Sequence, residues 1–132
     1  MNKIKLFLIT FLVFIIIDGI WLGLIASDFY AQQLAQLMTD DVNWGAAIIF
    51  YVLFIIGLLY FVLLPFQKET LSKVFFRGAF FGLITYATYD LTNMATLKDW
   101  PILVSVVDLV WGSLLGGATS FLSLWIYRRL VK

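Results

Sequence analysis

Three aspartates lie inside stretches that otherwise read as hydrocarbon: Asp18, Asp90 and Asp108. A charged side chain at the middle of a membrane helix costs about 2.5–3.5 kcal/mol on insertion scales, so each is a candidate functional group. Carboxyl groups in such surroundings can hold and exchange a proton or a cation, or work as a paired general acid and base. The chain contains no cysteine and no histidine. Thiol chemistry, zinc sites, axial haem ligands and a Ser-His-Asp triad all need one or the other and are excluded. Polar chemistry is left to Asp, Asn, Tyr, Thr, Ser and the indole N–H of Trp. No metal and no cofactor is expected, and a formal net charge of +1 gives no reason to expect nucleic acid.

The surroundings of the aspartates add candidates. Thr85, Tyr86, Thr88, Tyr89, Asp90, Thr92 and Asn93 crowd one segment, and at 100° per residue they cover more than half of a helix circumference. Such a helix is expected in the bundle centre or beside a water-filled cavity. Asp18-Gly-Ile-Trp21 and Asp108-Leu-Val-Trp111 share a D-x-x-W unit. Either an inverted repeat frames a site, or each Asp takes an indole N–H one turn away on its own helix. The candidate binding set is Asp18, Trp21, Tyr86, Tyr89, Asp90, Asn93, Asp108 and Trp111.

The elements that must position these groups follow from composition. The 132 residues are 63% hydrophobic and 13% charged, which lies outside the soluble range and predicts an all-α membrane protein. Residues 1–132 are expected to form a single four-helix transmembrane domain, with spans at about 4–26, 44–64, 73–96 and 101–127. The basic N-terminus resembles a signal peptide, but Ile4–Ala26 is long enough to cross a bilayer and is read as a retained first helix. Pro65 closes the second span and Pro101 opens the fourth. The 73–96 segment is the most polar of the four.

Orientation follows from basic residues. Lys3 and Lys5, then Lys68, Lys73 and Arg77, then Arg128, Arg129 and Lys132 mark one side, and only Lys98 marks the other. Both termini are therefore expected in the cytoplasm, of a bacterial inner membrane. Trp44 and Trp100 suit the outer interface, and Trp125 with Tyr127 the inner one. Tyr30, Leu34, Leu37 and Met38 recur at helical spacing, which predicts a short amphipathic helix in the outer 1–2 loop. At 1.5 Å per residue, all three aspartates fall in the outer half of a core about 30 Å thick. One shared cluster is expected, with no basic partner nearer than Lys98. Three carboxyls cannot all ionise there without a counter-charge, so a proton or bound cation must complete the layer.

Packing has its own signals. Ser105, Asp108, Gly112, Gly116, Thr119 and Ser123 form a small and polar stripe expected to face the first and third helices. Gly19/Gly23, Gly78/Gly82 and Gly112/Gly116 are GxxxG pairs suited to close helix contact. The second helix has little polar content beyond Tyr51 and Tyr60, and is expected at the periphery.

The run Tyr86-Ala-Thr-Tyr89-Asp90-Leu-Thr-Asn93-Met-Ala-Thr, followed by Trp100-Pro101 and Val107-Asp108-Leu-Val-Trp111-Gly112, resembles the bacterial family catalogued as domain of unknown function 2177. The opening Asp18-x-x-Trp21-Leu-Gly23 and Asp41-Val-Asn43-Trp44 are similar to it as well. The resemblance covers essentially the whole chain and implies a small four-helix bacterial membrane protein. It carries over no catalytic residues. From the residues themselves, three functions compete. One is an outer-half carboxylate pocket that binds or transports protons with a cation or amphipathic amine. Another is a membrane enzyme acting on a lipid or isoprenoid with paired Asp as acid and base. The third is a structural or partner-binding protein. The expected partners are the lipid bilayer, a cation, amine or lipid ligand, and a second copy in a homodimer.

Overall fold

The computed structural model describes residues 1–131; Lys132, counted above among the basic residues, lies outside them. Among the described residues the chain is helical throughout, with no strand. Helix α1 spans Lys3–Ile20 and runs on into a π-helical turn, Trp21–Ile25. A seven-residue helix α2 follows at Ser27–Gln33. Helix α3 covers Trp44–Leu58 and likewise ends in a π-turn, Leu59–Leu63. Helices α4, Leu71–Thr96, and α5, Ile102–Leu130, complete the bundle.

Side chains fix the helix starts. Asn2, Asn43 and Thr70 accept from the backbone N–H of Lys5, Ala46 and Lys73 at 3.0, 3.1 and 3.3 Å, each satisfying an otherwise orphaned donor. Pro101 precedes α5, where its missing N–H costs nothing.

Three helices are long and apolar enough to cross a membrane: Lys3–Ile25, Trp44–Leu63 and Ile102–Leu130. Four spans were expected, and α4 is the one that composition alone does not carry. A core of Leu6, Phe14, Ile55, Leu58, Leu63, Val74, Leu115 and Leu124 is fully buried. Leu8, Leu12, Ile16, Ile49, Leu53, Phe76, Phe80, Val106, Val110 and Leu114 point outward as an apolar coat. That coat is a liability in water and an ordinary surface in lipid.

The closest packing is between α4 and α5. A Cβ on Gly82 would strike the backbone carbonyl of Gly112, and one on Gly116 would strike that of Gly78. The two GxxxG pairs are thus one seam, with backbone against backbone. Gly19 and Gly23 take no part, because open space surrounds both. The polar stripe of α5 is buried against its neighbours as expected.

The C-terminal half of α4, expected in the bundle centre or beside a cavity, lines a cavity with Tyr86, Tyr89 and Asn93 and turns its other side outward. Thr88, Tyr89, Thr92 and Thr96 are exposed. Their hydroxyls explain how. Thr88 and Thr96 donate to the carbonyls of Ile84 and Thr92 at 2.7 and 2.8 Å, and Thr92 donates to Thr88. Hydroxyls turned onto their own helix leave methyl groups outside, so a face that reads as polar can meet an apolar surrounding. Two residues expected at the membrane interfaces are packed inside the protein. Trp100 is buried, with its indole donating to the Ser105 hydroxyl at 2.9 Å. Tyr127 is buried too, and its hydroxyl accepts from the backbone N–H of Asn2 at 2.8 Å. Arg128 donates to the carbonyls of Gln67 and Glu69 at 2.6 and 2.7 Å, tying the end of α5 to the α3–α4 turn.

The seam makes a direct prediction. Gly82→Ala is expected to destabilise the bundle by about 1–3 kcal/mol, since only backbone is available to give way. Gly19→Ala is expected to leave stability unchanged or slightly raised. Thermal unfolding in detergent, followed by far-UV circular dichroism, separates the two outcomes.

Candidate functional site

Helix α1 turns Asp18 inward, and its carboxylate accepts two hydrogen bonds. The Trp111 indole donates to Oδ1 and the Tyr51 hydroxyl to Oδ2, both at 3.2 Å. Asp108, on the inner stripe of α5, accepts from the Tyr30 hydroxyl at 2.5 Å. Tyr30 in turn accepts from the Trp21 indole at 3.3 Å. The two indoles stack face to face, with centroids 4.4 Å apart and planes 11° from parallel.

The D-x-x-W units therefore engage each other across the helix pair. The Trp of α5 bonds the Asp of α1 directly. The Trp of α1 reaches the Asp of α5 through Tyr30. Neither indole serves the carboxylate one turn away on its own helix, because both rings are drawn into the stack between the helices. Burial, and then the hydrogen bond to Asp108, push the Tyr30 hydroxyl above its ordinary range. It stays a proton donor at any physiological pH.

Seven of the eight expected residues line one cavity of about 760 Å³: Asp18, Trp21, Tyr86, Tyr89, Asn93, Asp108 and Trp111. Tyr86 reaches it because Gly112 leaves room for its ring. Asp90 does not line it. That carboxyl is wholly buried beside α5, where the Ser105 hydroxyl donates to the Asp90 backbone carbonyl at 3.4 Å. Neither carboxyl oxygen accepts from a donor among the described residues. Of the three aspartates expected in one cluster, Asp18 and Asp108 line the cavity and Asp90 lies buried beside it. Helix rotation explains this: similar height does not ensure a similar direction. Among the described residues no group of acidic side chains is arranged to hold a metal ion. Lys98 is exposed and does not line the cavity.

Sequence reasoning missed Tyr51, Phe50 and Trp100 as cavity residues, and placed Tyr30 only on a short surface helix. Tyr51 sits on a helix whose composition signals only periphery, and nothing in the sequence marks its bond to Asp18. Tyr30, Leu34, Leu37 and Met38 did stand out by spacing, but they line the cavity. Beside it, Phe50, Thr85, Tyr86, Tyr89 and Asp108 enclose a further hollow of about 400 Å³ between α3 and α4. Phe50 and Tyr89 are both exposed there, so this part opens sideways.

The stacked indoles supply an optical test. Near-parallel rings at this separation couple their transitions, so an exciton couplet is expected in the circular dichroism spectrum. Trp21→Phe and Trp111→Phe should each abolish it, and Trp44→Phe should leave it intact. Trp111→Phe also takes the donor from Asp18 Oδ1, and should lower stability by about 1–3 kcal/mol.

No curated protein and no solved structure matches the chain. A family model described as a predicted membrane protein, DUF2177, matches residues 3–125. That interval contains every residue of the cavity and both D-x-x-W units. The chain belongs to the DUF2177 family of predicted membrane proteins.

Proposed function

We propose that the chain binds an amphipathic organic cation in the cavity between Asp18 and Asp108, in exchange for a proton. The observation that carries this reading is the pair of carboxylates, Asp18 held by the Trp111 indole and Asp108 by the Tyr30 hydroxyl, in a cavity lined by no basic side chain. Indole and phenol donors orient the carboxylates without neutralising them, which leaves the counter-charge to come from a ligand. The sideways hollow past Phe50 and Tyr89 suits a hydrocarbon tail.

Asp90 and Asp108 supply the exchange step. Two neighbouring carboxyls with no basic side chain beside them are joined most simply by one proton. A cation at Asp108 replaces that proton. The titratable groups that line the cavity with Asp108 are Asp18 from α1, Tyr30 from α2, Tyr51 from α3, and Tyr86 and Tyr89 from α4. All of them are phenols or carboxylic acids, so acidification opposes cation binding.

In this reading α4 is the fourth span of a single domain in a bacterial inner membrane, with both termini cytoplasmic. The threonine back-bonds support it by hiding the polarity of that helix. The cavity then faces the outer half of the bilayer, and a homodimer is a compatible assembly.

Two experiments test the proposal. Dodecyltrimethylammonium should quench tryptophan fluorescence saturably, and a neutral analogue of equal chain length should not. Affinity should fall on acidification, and Asp108→Asn should weaken it more than about tenfold, roughly 1.4 kcal/mol. Equal affinity in Asp108→Asn at every pH sinks the idea. For topology, the absence of native cysteine makes labelling clean. Thr39→Cys should react with an impermeant maleimide in intact cells, and Lys68→Cys only after permeabilisation. The reverse pattern overturns the orientation.

A further inference from the structure

A second groove lies at the other end of α4, away from the carboxylates, and has a volume of about 650 Å³. Its walls come from the π-turn of α3 and from α4. Phe61, Phe80, Phe81 and Ile84 make its apolar length, and Lys73 with Arg77 mark one end. Phe61 and Phe80 are more than half exposed, at 61% and 62%, so the groove is open along its side.

The basic end is held in place. The Arg77 guanidinium lies over the Phe66 ring, 3.9 Å from its centroid. A guanidinium resting on a ring face by cation–π attraction keeps N–H donors free for a further partner. Among the described residues Arg77 has no carboxylate partner. The sole ion pair among the described residues joins Lys73 to Glu69 at 3.2 Å, which also occupies the one acidic group nearby. Arg128, the other neighbouring arginine, is already spent on the carbonyls of Gln67 and Glu69. The end of the groove is therefore net positive, with one oriented and unpaired guanidinium.

We propose that this groove binds an anionic phospholipid, with the phosphate on Arg77 and an acyl chain along Phe80, Phe81 and Phe61. Charge complementarity selects the headgroup, and a planar fork of donors fits phosphate oxygens. The apolar length beyond Arg77 selects a lipid over a free anion. A basic pocket between membrane helices is a general way of recognising an acidic headgroup. The groove shares no residue with the carboxylate cavity, so this site stands or falls independently of the proposed cation exchange.

The test uses the full chain in a neutral detergent, titrated with phosphatidylglycerol or phosphatidylcholine of identical chains and read by native mass spectrometry. Phosphatidylglycerol should bind about fivefold more tightly, the preference expected from one basic group near a headgroup. Arg77→Gln should abolish the preference, and Arg129→Gln, whose guanidinium lies over Trp125 instead, should retain it. A measurement on the unmodified chain guards against a folding defect in the variant. Phosphatidylglycerol carrying a diazirine on its acyl chain should label the segment from Phe61 to Ile84. Equal binding of the two lipids, an unchanged preference in Arg77→Gln, labelling elsewhere, or full displacement by millimolar inorganic phosphate would each overturn the proposal.

Discussion

Everything in the bundle is set by how closely α4 and α5 approach. Gly78 and Gly82 meet Gly112 and Gly116 with no side chain between them. Backbone contact of this kind fixes height as well as distance, because one carbonyl has to sit in the gap left by one missing Cβ. With that height fixed, the Tyr86 ring falls over Gly112, and the Asp90 carbonyl comes level with the Ser105 hydroxyl. Trp111, one residue before Gly112, is then carried towards α1, where it meets Asp18. The polar centre is a consequence of an apolar packing rule.

The two carboxylates of the cavity are held differently from an ordinary buried ion pair. A lysine or arginine partner would neutralise them and close the site to other charge. Indole and phenol donors position the oxygens and leave the charge available. The stacked rings also make the two halves of the clasp depend on each other, since moving either indole disturbs both hydrogen-bonded chains. Asp90 plays a separate part, enclosed beside α5 and outside the lining of the cavity.

How much of this was legible in the sequence depends on the kind of signal. Hydrophobic length and the Pro65 and Pro101 boundaries located the long helices to within three residues at each end. The stripe of α5 was readable because small and polar residues at helical spacing have few uses other than packing. Composition did not mark the outward side of α4, since a threonine that bonds its own carbonyl reads the same as one that bonds a ligand. Depth put three aspartates in one layer, but depth carries no azimuth, and the direction of Asp90 was settled by the seam. Tyr51 illustrates the remaining gap: a lone tyrosine in an apolar helix gives no sign of whether its hydroxyl has a partner.

The π-turn at Leu59–Leu63 gives the bundle a mechanical asymmetry. At the basic end, Asn2 with Tyr127 and Arg128 with the α3–α4 turn lash three helices together. At the other end α3 touches the polar centre through a single phenol, that of Tyr51. Helix α3 is thus a lever with its pivot beside the lashings. Tyr51 lies about ten residues from that pivot, an arm of roughly 15 Å at 1.5 Å per residue. A tilt of only about 10° over such an arm sweeps its tip by between 2 and 3 Å, roughly the length of a hydrogen bond. A displacement of that size leaves Leu58 and Leu63, beside the π-turn, nearly in place, but it must carry the buried Phe54 and Ile55 with it before Tyr51 parts from Asp18.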